Sequence, residues 1–534
     1  MFSYLFRGAT LVDGSGEPPR PADVAVAGNR IVAVGKGVDG PAEKVVDAGG
    51  LVLAPGFIDI HSHTDATLFA YPRVESKAFQ GVTTEVTGNC GLGVFPVQSG
   101  RNEELADYLA LHGFYLPPGG FPWGDFASYA DHVDLLGPGI HVAPLVGHAP
   151  LRIAAMGMDN RPPTAAEMER MQNMLASALR QGAWGMSTGL IYPPGSYAAK
   201  EELVALARTL AAHGALYASH IRNEGDGMLA ALDEAIAIGR ESGARVEVSH
   251  LKAMGGSNRG RGREALARLS AAREAGVDVG ADQYPYDASA TSLSAVVPQW
   301  AHAGGVASLM RRLKGPDLRD RLQDEIGREM AAREGAGGIM VSNVRSERNR
   351  RWSGQTIDRI AAAWCCPPEE AVIRLLLEEE GAVGAIFFSM AEEDVTAILA
   401  DPQVSVGSDG HGLNAAAAAG EATHPRSYGT FARVLGRYVR DKNTLSLAAA
   451  VHKMSGLPAS RLGFIERGLV RPGYAADMVI FDPATVEDRA DYADPHRYAT
   501  GVVHLLVDGE PVIRDGALTG KRPGRVLRRR NSDH

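Results

Sequence analysis

At 534 residues the chain is too long for one ordinary core, so about three domains, or one large barrel with smaller modules, are expected. Hydrophobic residues at 45%, charged residues at 22% and 63 glycines describe a soluble globular protein whose many tight turns suit an α/β fold. A formal charge of -9 argues against a nucleic-acid partner, which needs clustered Lys and Arg, and no run approaches the roughly 18 apolar residues of a membrane span.

The start, MFSYLFRGATLVDG, lacks a charged leader followed by an apolar core and a cleavage site, so a cytoplasmic location is expected. Three cysteines cannot build a disulfide framework in a chain of this size. Cys365 and Cys366, in AAAWCCPPEEAV, read as small buried residues. Residues 3–53 alternate in short segments between Gly, Pro and Asn turns, and a similar texture returns in GYAADMVIFD and VVHLLVDGEPVIRDGAL. One small β domain built from residues 1–54 plus 464–534 follows.

Residues 55–463 alternate apolar strands with helical runs, the pattern of a parallel sheet covered by helices. Strand candidates lie at 57–60, 83–87, 141–146, 184–187, 216–219, 246–249, 277–282 and 404–408, with helical runs at 165–180, 200–213, 227–242 and 262–275. Eight strands predict a (β/α)8 TIM barrel. The gap before the last strand is too long for a crossover, so residues 287–385 read as an insertion that overhangs the active-site face as a lid. It holds a charged helical stretch at 309–334, the strand-like GIMVSN and two further helices. Glu378 to Glu380 read as a solvated helix end, GGSNRGRGRE as a flexible loop, and the basic tail Arg525 to Arg530 as a solvated terminus.

Polar residues gather where the strands end. Strand one, in GFIDIHSHTD, runs into His61 and His63, whose i, i+2 spacing turns both imidazoles the same way. Strand two is followed by Cys90, strands five and six end in His220 and His250, and strand eight ends in Asp409. A barrel gathers catalytic groups from separate strand ends onto one face. A single histidine there is usually structural; this many metal-competent groups in register predict a metal site. Zinc with three or four His and Cys ligands and an open position lowers the pKa of its water from about 15.7 to roughly 7, and a neighbouring carboxylate can pass that water's proton to a leaving amine. That is hydrolase chemistry.

GFIDIHSH, the strand-end His220 and His250, and SDG at strand eight resemble the amidohydrolase superfamily of metal-dependent barrels over nearly the whole chain. GVTTEVTGNCG, SHIRNEGDG, SHLK, YPYDAS and HPRSYGTFARVLG are similar to the N-acyl-D-amino-acid deacylases, or D-aminoacylases. The resemblance implies one zinc held tightly by Cys90, His220 and His250, a second, weaker position near His61, His63 and Cys90, and Asp409 as catalytic acid and base. Many superfamily members bridge two metals with a carboxylated lysine after strand four. Here strand four reads WGMSTGL with no lysine nearer than Lys200, and a Cys90 thiolate can supply the anionic bridge.

Lys252, two residues past His250, faces the same side by strand parity and suits a substrate α-carboxylate. Tyr284, in YPY, is similar to a family residue that hydrogen-bonds the same group; Tyr192, Arg222 and Arg426 are further candidates, an arginine being able to grip a carboxylate with two parallel bonds. His148 either lines the pocket or is structural, and His424 reads as a loop anchor. The resemblance implies zinc-dependent hydrolysis of small N-acyl-D-amino acids. The alternatives are a cyclic-amide or dipeptide-like substrate on the same scaffold, and a catalytically silent barrel used in assembly.

Overall fold

The computed structural model describes residues 1–530 apart from 115, 118 and 419–421. Both chain ends enter one sheet of nine strands among the described residues. Phe2–Leu11 pairs with Arg20–Ala27, with Ala42–Asp47 and with Val52–Pro55, and Met478–Phe481 lies antiparallel to Val52–Pro55. Alternating side-chain direction along these strands puts Phe6, Val24, Leu53, Met478 and Leu506 into a core of their own. Residues some 430 apart in sequence therefore depend on each other.

The middle of the chain supplies eight parallel strands. They are Phe57–Asp59, Val82–Thr87, a third in two pieces (His141–Pro144 and Val146–Gly147), Gly185–Gly189, Leu216–His220, Arg245–Val248, Val279–Gln283 and Val404–Val406. Most are buried along their whole length, as a sheet covered on both faces requires. Their ladder forms two arcs, strands one to three and strands three to eight, and not one uninterrupted ring. The first seam falls at the third strand, where Pro144 has no N–H and the chain changes partner from Thr87 to Met186. The second is bridged past strand eight by Asp409 N donating to His61 O at 2.7 Å and His63 N to Gly410 O at 2.9 Å. The expected helices are present as Ala165–Gln181, Lys200–Ala212, Met228–Ser242 and Gly262–Glu274. The first begins in a capping box between Thr164 and Glu167.

After strand seven the chain leaves the parallel strands and builds an antiparallel three-stranded sheet in the order Ser289–Ser292, Val383–Phe387, Ile339–Val344. Helices Gly305–Lys314, Arg319–Ala331, Ile357–Trp364 and Pro368–Glu378 pack on it over a separate core that includes Leu309, Ile326, Val341, Ile360 and Leu376. The stretch at 309–334 is two helices because Gly315-Pro316 interrupts it.

Four local expectations are corrected. Cys365 is exposed and Cys366 half-buried, since Cys365 closes a helix in the left-handed conformation (φ 51°) and its side chain turns outward. Glu379 is buried, its carboxylate accepting from the backbone N–H groups of Arg345 and Ser346, both at 2.8 Å. The Gly/Arg loop is tied down by Asp394, which accepts from Gly260 N at 2.8 Å and Gly262 N at 2.9 Å. The basic tail is not solvated along its length: Val526 and Leu527 are buried beneath the barrel, and Leu527 O accepts from Trp184 Nε1 at 2.6 Å. Among the described residues no helix is long and apolar enough to cross a membrane.

Candidate metal centre

Strand ends deliver the site. Cys90 Sγ lies 3.3 Å from His61 Nε2 and 3.3 Å from His250 Nε2. Asp409 Oδ1 lies 3.4 Å from His61 Nε2 and 3.0 Å from His63 Nε2, and its Oδ2 is paired with Arg426 Nη1 at 2.7 Å. Cys90, His250 and Asp409 all adopt positive φ (54°, 36° and 52°), a region costly for residues with a Cβ. Each is held there, directly or through the next residue, by another strand. Gly91 N donates to Ser187 Oγ at 2.9 Å, His250 N to Asp282 Oδ1 at 2.8 Å, and Asp409 N to His61 O. The bends turn three donors inward.

The donor set polarises itself before any ion's charge is added. Burial opposes ionisation of the Cys90 thiol, but His250 and His61 outweigh it and hold its pKa well below the ordinary value. Burial likewise opposes the Asp409 carboxylate, and Arg426, His250 and His63 reverse that. For His61, burial disfavours the cation and Asp282 and Cys90 restore it well above the usual range. His220 goes the other way, its pKa lowered chiefly by burial, and among the described residues neither of its ring nitrogens meets a partner with hydrogen-bond geometry. A buried imidazole without a hydrogen-bond partner is costly unless its lone pair is used. Two groups of ligand atoms, His61 with Cys90, His250 and Asp409, and His220 with Glu224 and His250, each lie within 4.8 Å of one another. Thiolate, imidazole and carboxylate are the donors zinc takes, so these residues fit that ion.

A cavity of about 550 Å³ opens over the donors, walled by the barrel ends and by insertion residues such as Thr291 and Asn343. Lys252 lies in its wall, 2.5 Å from Glu224 Oε1 and 2.7 Å from His250 Nδ1. Arg426 lies over the Tyr284 ring at 4.9 Å, and the buried Tyr284 hydroxyl meets the weak acceptor Met390 Sδ at 3.9 Å. Tyr192 reaches the insertion through Thr291 Oγ1 at 2.8 Å. Arg222 is paired within the protein, its guanidinium donating to Glu234 and to the carbonyls of Ser196 and Ala198. His148 is structural, its Nε2 on Glu202 at 2.8 Å, and His424 anchors its loop on Ala288 O at 2.9 Å.

Sequence reasoning missed Glu224, Asp282 and the buried Lys77, which bonds Asp59 at 2.8 Å and Ser408 Oγ at 2.6 Å beneath the site. Glu224 stands four residues past His220 in a motif already singled out, and Asp282 ends a strand; only Lys77 carried no signal.

Residues 44–513 match the profile of the amidohydrolase family. The chain is 40% identical over 526 residues to N-acyl-D-glutamate deacylase of Alcaligenes xylosoxydans xylosoxydans, covering 98% of this chain and 96% of that protein. It is 39% identical over 528 residues to the D-aminoacylase of the same organism, covering 99% and 98%. The crystal structure of N-acyl-D-glutamate deacylase from Bordetella bronchiseptica, complexed with zinc and a phosphonate mimic of the tetrahedral intermediate, superposes with a TM-score of 0.83 at 39% identity, covering 99% of both chains. The fold is of the TIM-barrel type seen in these proteins.

Proposed function

The chain belongs to the amidohydrolase family, and on that premise we propose how its residues divide the work of zinc-dependent hydrolysis of N-acyl-D-amino acids to a carboxylic acid and a D-amino acid. Near-full-length similarity to deacylases, together with the gathered donor set, carries the reading. The tight zinc position is assigned to Cys90, His220 and His250, and a second, weaker one to His61, His63 and Cys90. Strand four offers no lysine to bridge them; Lys200 sits on Glu241 at 2.6 Å outside the site, which supports Cys90 in that role. Zinc held there supplies Lewis acidity to the amide carbonyl and to water.

The chain's own residues do the rest. Asp409, held as a carboxylate by Arg426 and His63, takes a proton from the attacking water. Arg426 disfavours the neutral carboxyl it leaves, so the proton passes readily to the departing amine. Lys252 and Tyr284 hold the α-carboxylate, and the insertion shields the reaction from bulk water. Residues 1–54 with 464–534 are read as one β domain, 55–463 as the barrel and 287–385 as the lid. The test is a panel of N-acetyl and N-formyl amino acids of both enantiomers, run beside hydantoins. Turnover confined to D-configured linear amides is expected; turnover of hydantoins alone would refute the assignment.

A further inference from the structure

We infer that Glu224 is a positioning residue that ties the His250 ring and the Lys252 ammonium to one carboxylate, so that metal affinity and capture of the substrate carboxylate depend on the same group. The inference rests on the roles just proposed for His250 and Lys252.

Glu224 is buried in the loop after strand five, four residues past His220. The loop is held by Asn223 Oδ1, which accepts from Gly225 N at 2.9 Å and Gly227 N at 3.0 Å, and by Glu224 O, which accepts from Met254 N at 2.8 Å. Glu224 Oε1 stands 2.5 Å from Lys252 Nζ and 3.1 Å from His250 Nδ1, while Oε2 is 3.6 Å from His220 Nε2. A single carboxylate thus faces two histidines and a lysine.

Hydrogen-bond roles decide what it does. His250 Nε2 points at the Cys90 thiol, so Nε2 is the nitrogen on the metal side and Nδ1 lies opposite. An imidazole giving the Nε2 lone pair to a metal carries its proton on Nδ1 and must donate from there. Lys252 Nζ, 2.7 Å from Nδ1, has only protons to offer. The acceptor for both is Glu224 Oε1. Without its charge, nothing would hold the ammonium against the Nδ1 proton, and the lysine would swing away.

The test uses Glu224→Gln, Glu224→Asp and Lys252→Met, each as holoenzyme and after metal stripping. Zinc affinity is read by chelator competition, KM and kcat with an N-acetyl-D-amino acid, and melting on the stripped proteins. Glu224→Gln is expected to weaken zinc about 10- to 100-fold, the range for outer-shell partners of metal ligands, and to raise KM about as much while kcat at saturating zinc changes less. Glu224→Asp should recover part of both. Lys252→Met should raise KM and leave zinc affinity within about twofold, because its own role is on the substrate side. Parent-like zinc affinity in Glu224→Gln, or a loss wholly matched by a lower melting temperature of the stripped protein, would overturn the inference while leaving the metal reading intact. A parent protein that binds no zinc would overturn both.

Discussion

Asp409 shows how one side chain is prepared by several elements. Strand eight ends on it, His61 O fixes its N–H, and His63 and Arg426 divide its two oxygens. Asp409→Asn keeps the shape and removes the base, so kcat should fall about 10²- to 10⁴-fold while zinc content by metal analysis stays near the parent value. Zinc lost together with activity would make Asp409 chiefly a ligand. Cys90→Ala removes the donor shared by both proposed metal positions; zinc content and turnover should fall together, and full activity would refute the thiolate bridge. These residues were legible because each stands at a strand's carboxyl end with a side chain that has few bland uses there. The partners of Arg222 were not legible, because HIRNE fixes its distance from His220 along the chain but not the direction of a long side chain, which meets Glu234. Glu224, one of the loop acids beside it, was passed over because a carboxylate shortly before a helix ordinarily serves the helix terminus.

At the level of elements, periodicity located the parallel strands and the covering helices, since burial on both faces leaves unbroken apolar runs. It could not locate Ser289–Ser292 or Val383–Phe387 as partners, because antiparallel pairing across about ninety residues leaves no local trace. Nor could it show what lies under strand one. Lys77, in ESKAFQ, carries no signal in the sequence, yet it is fully buried between Asp59, Glu85 and Ser408. Asp59 in turn accepts from Ser408 N at 2.8 Å, so this ion cluster sets the height of Asp409. Lys77→Met leaves two buried carboxylates uncompensated and should cost about 3–5 kcal/mol in denaturant unfolding, with a fall in kcat from the displaced Asp409. An unchanged midpoint would show that the cluster relaxes. Lys453, in helix Leu447–Met454, is a separate case: burial presses its pKa down to about 7, against partial help from Asp401. Between about pH 7 and 10 the unfolded chain binds the extra proton, so stability should rise with pH across that window, by at most about 1.4 kcal/mol per unit. Lys453→Met should be more stable than the parent at pH 7 and lack that rise; a parallel pH profile in both proteins would refute it.

For the molecule as a whole, both ends of the chain close the structure. The composite sheet was legible because its two halves share turn-rich alternation, but the last residues were not, because a run of arginines reads as solvated wherever it stands. The buried residues among them are apolar: Val526 and Leu527 sit between the arginines under the barrel floor, with Ile58, Val86, Ala143 and Trp184 among the floor residues around Leu527. The backbone there pairs as a strand would. Val142 N donates to Arg525 O at 3.1 Å, Leu527 N to Val142 O at 2.8 Å and Arg529 N to Gly182 O at 2.8 Å. Arg528 reaches Asp134 at 2.7 Å and Asp131 at 2.8 Å, but these partners are solvated and screened. Burial of one leucine is worth about 1.5–3 kcal/mol and each hydrogen bond about 0.5–1.5, so the apolar pair and the backbone outweigh the charges. Two variants separate the contributions. Ending the chain at Pro523 should lower the apparent melting temperature by several degrees, while Arg528→Ala should move it little. Because the floor is the face opposite the metal centre, the truncated protein that remains folded should keep its zinc and its KM; a changed KM at unchanged zinc content would show that the tail governs the site through the barrel.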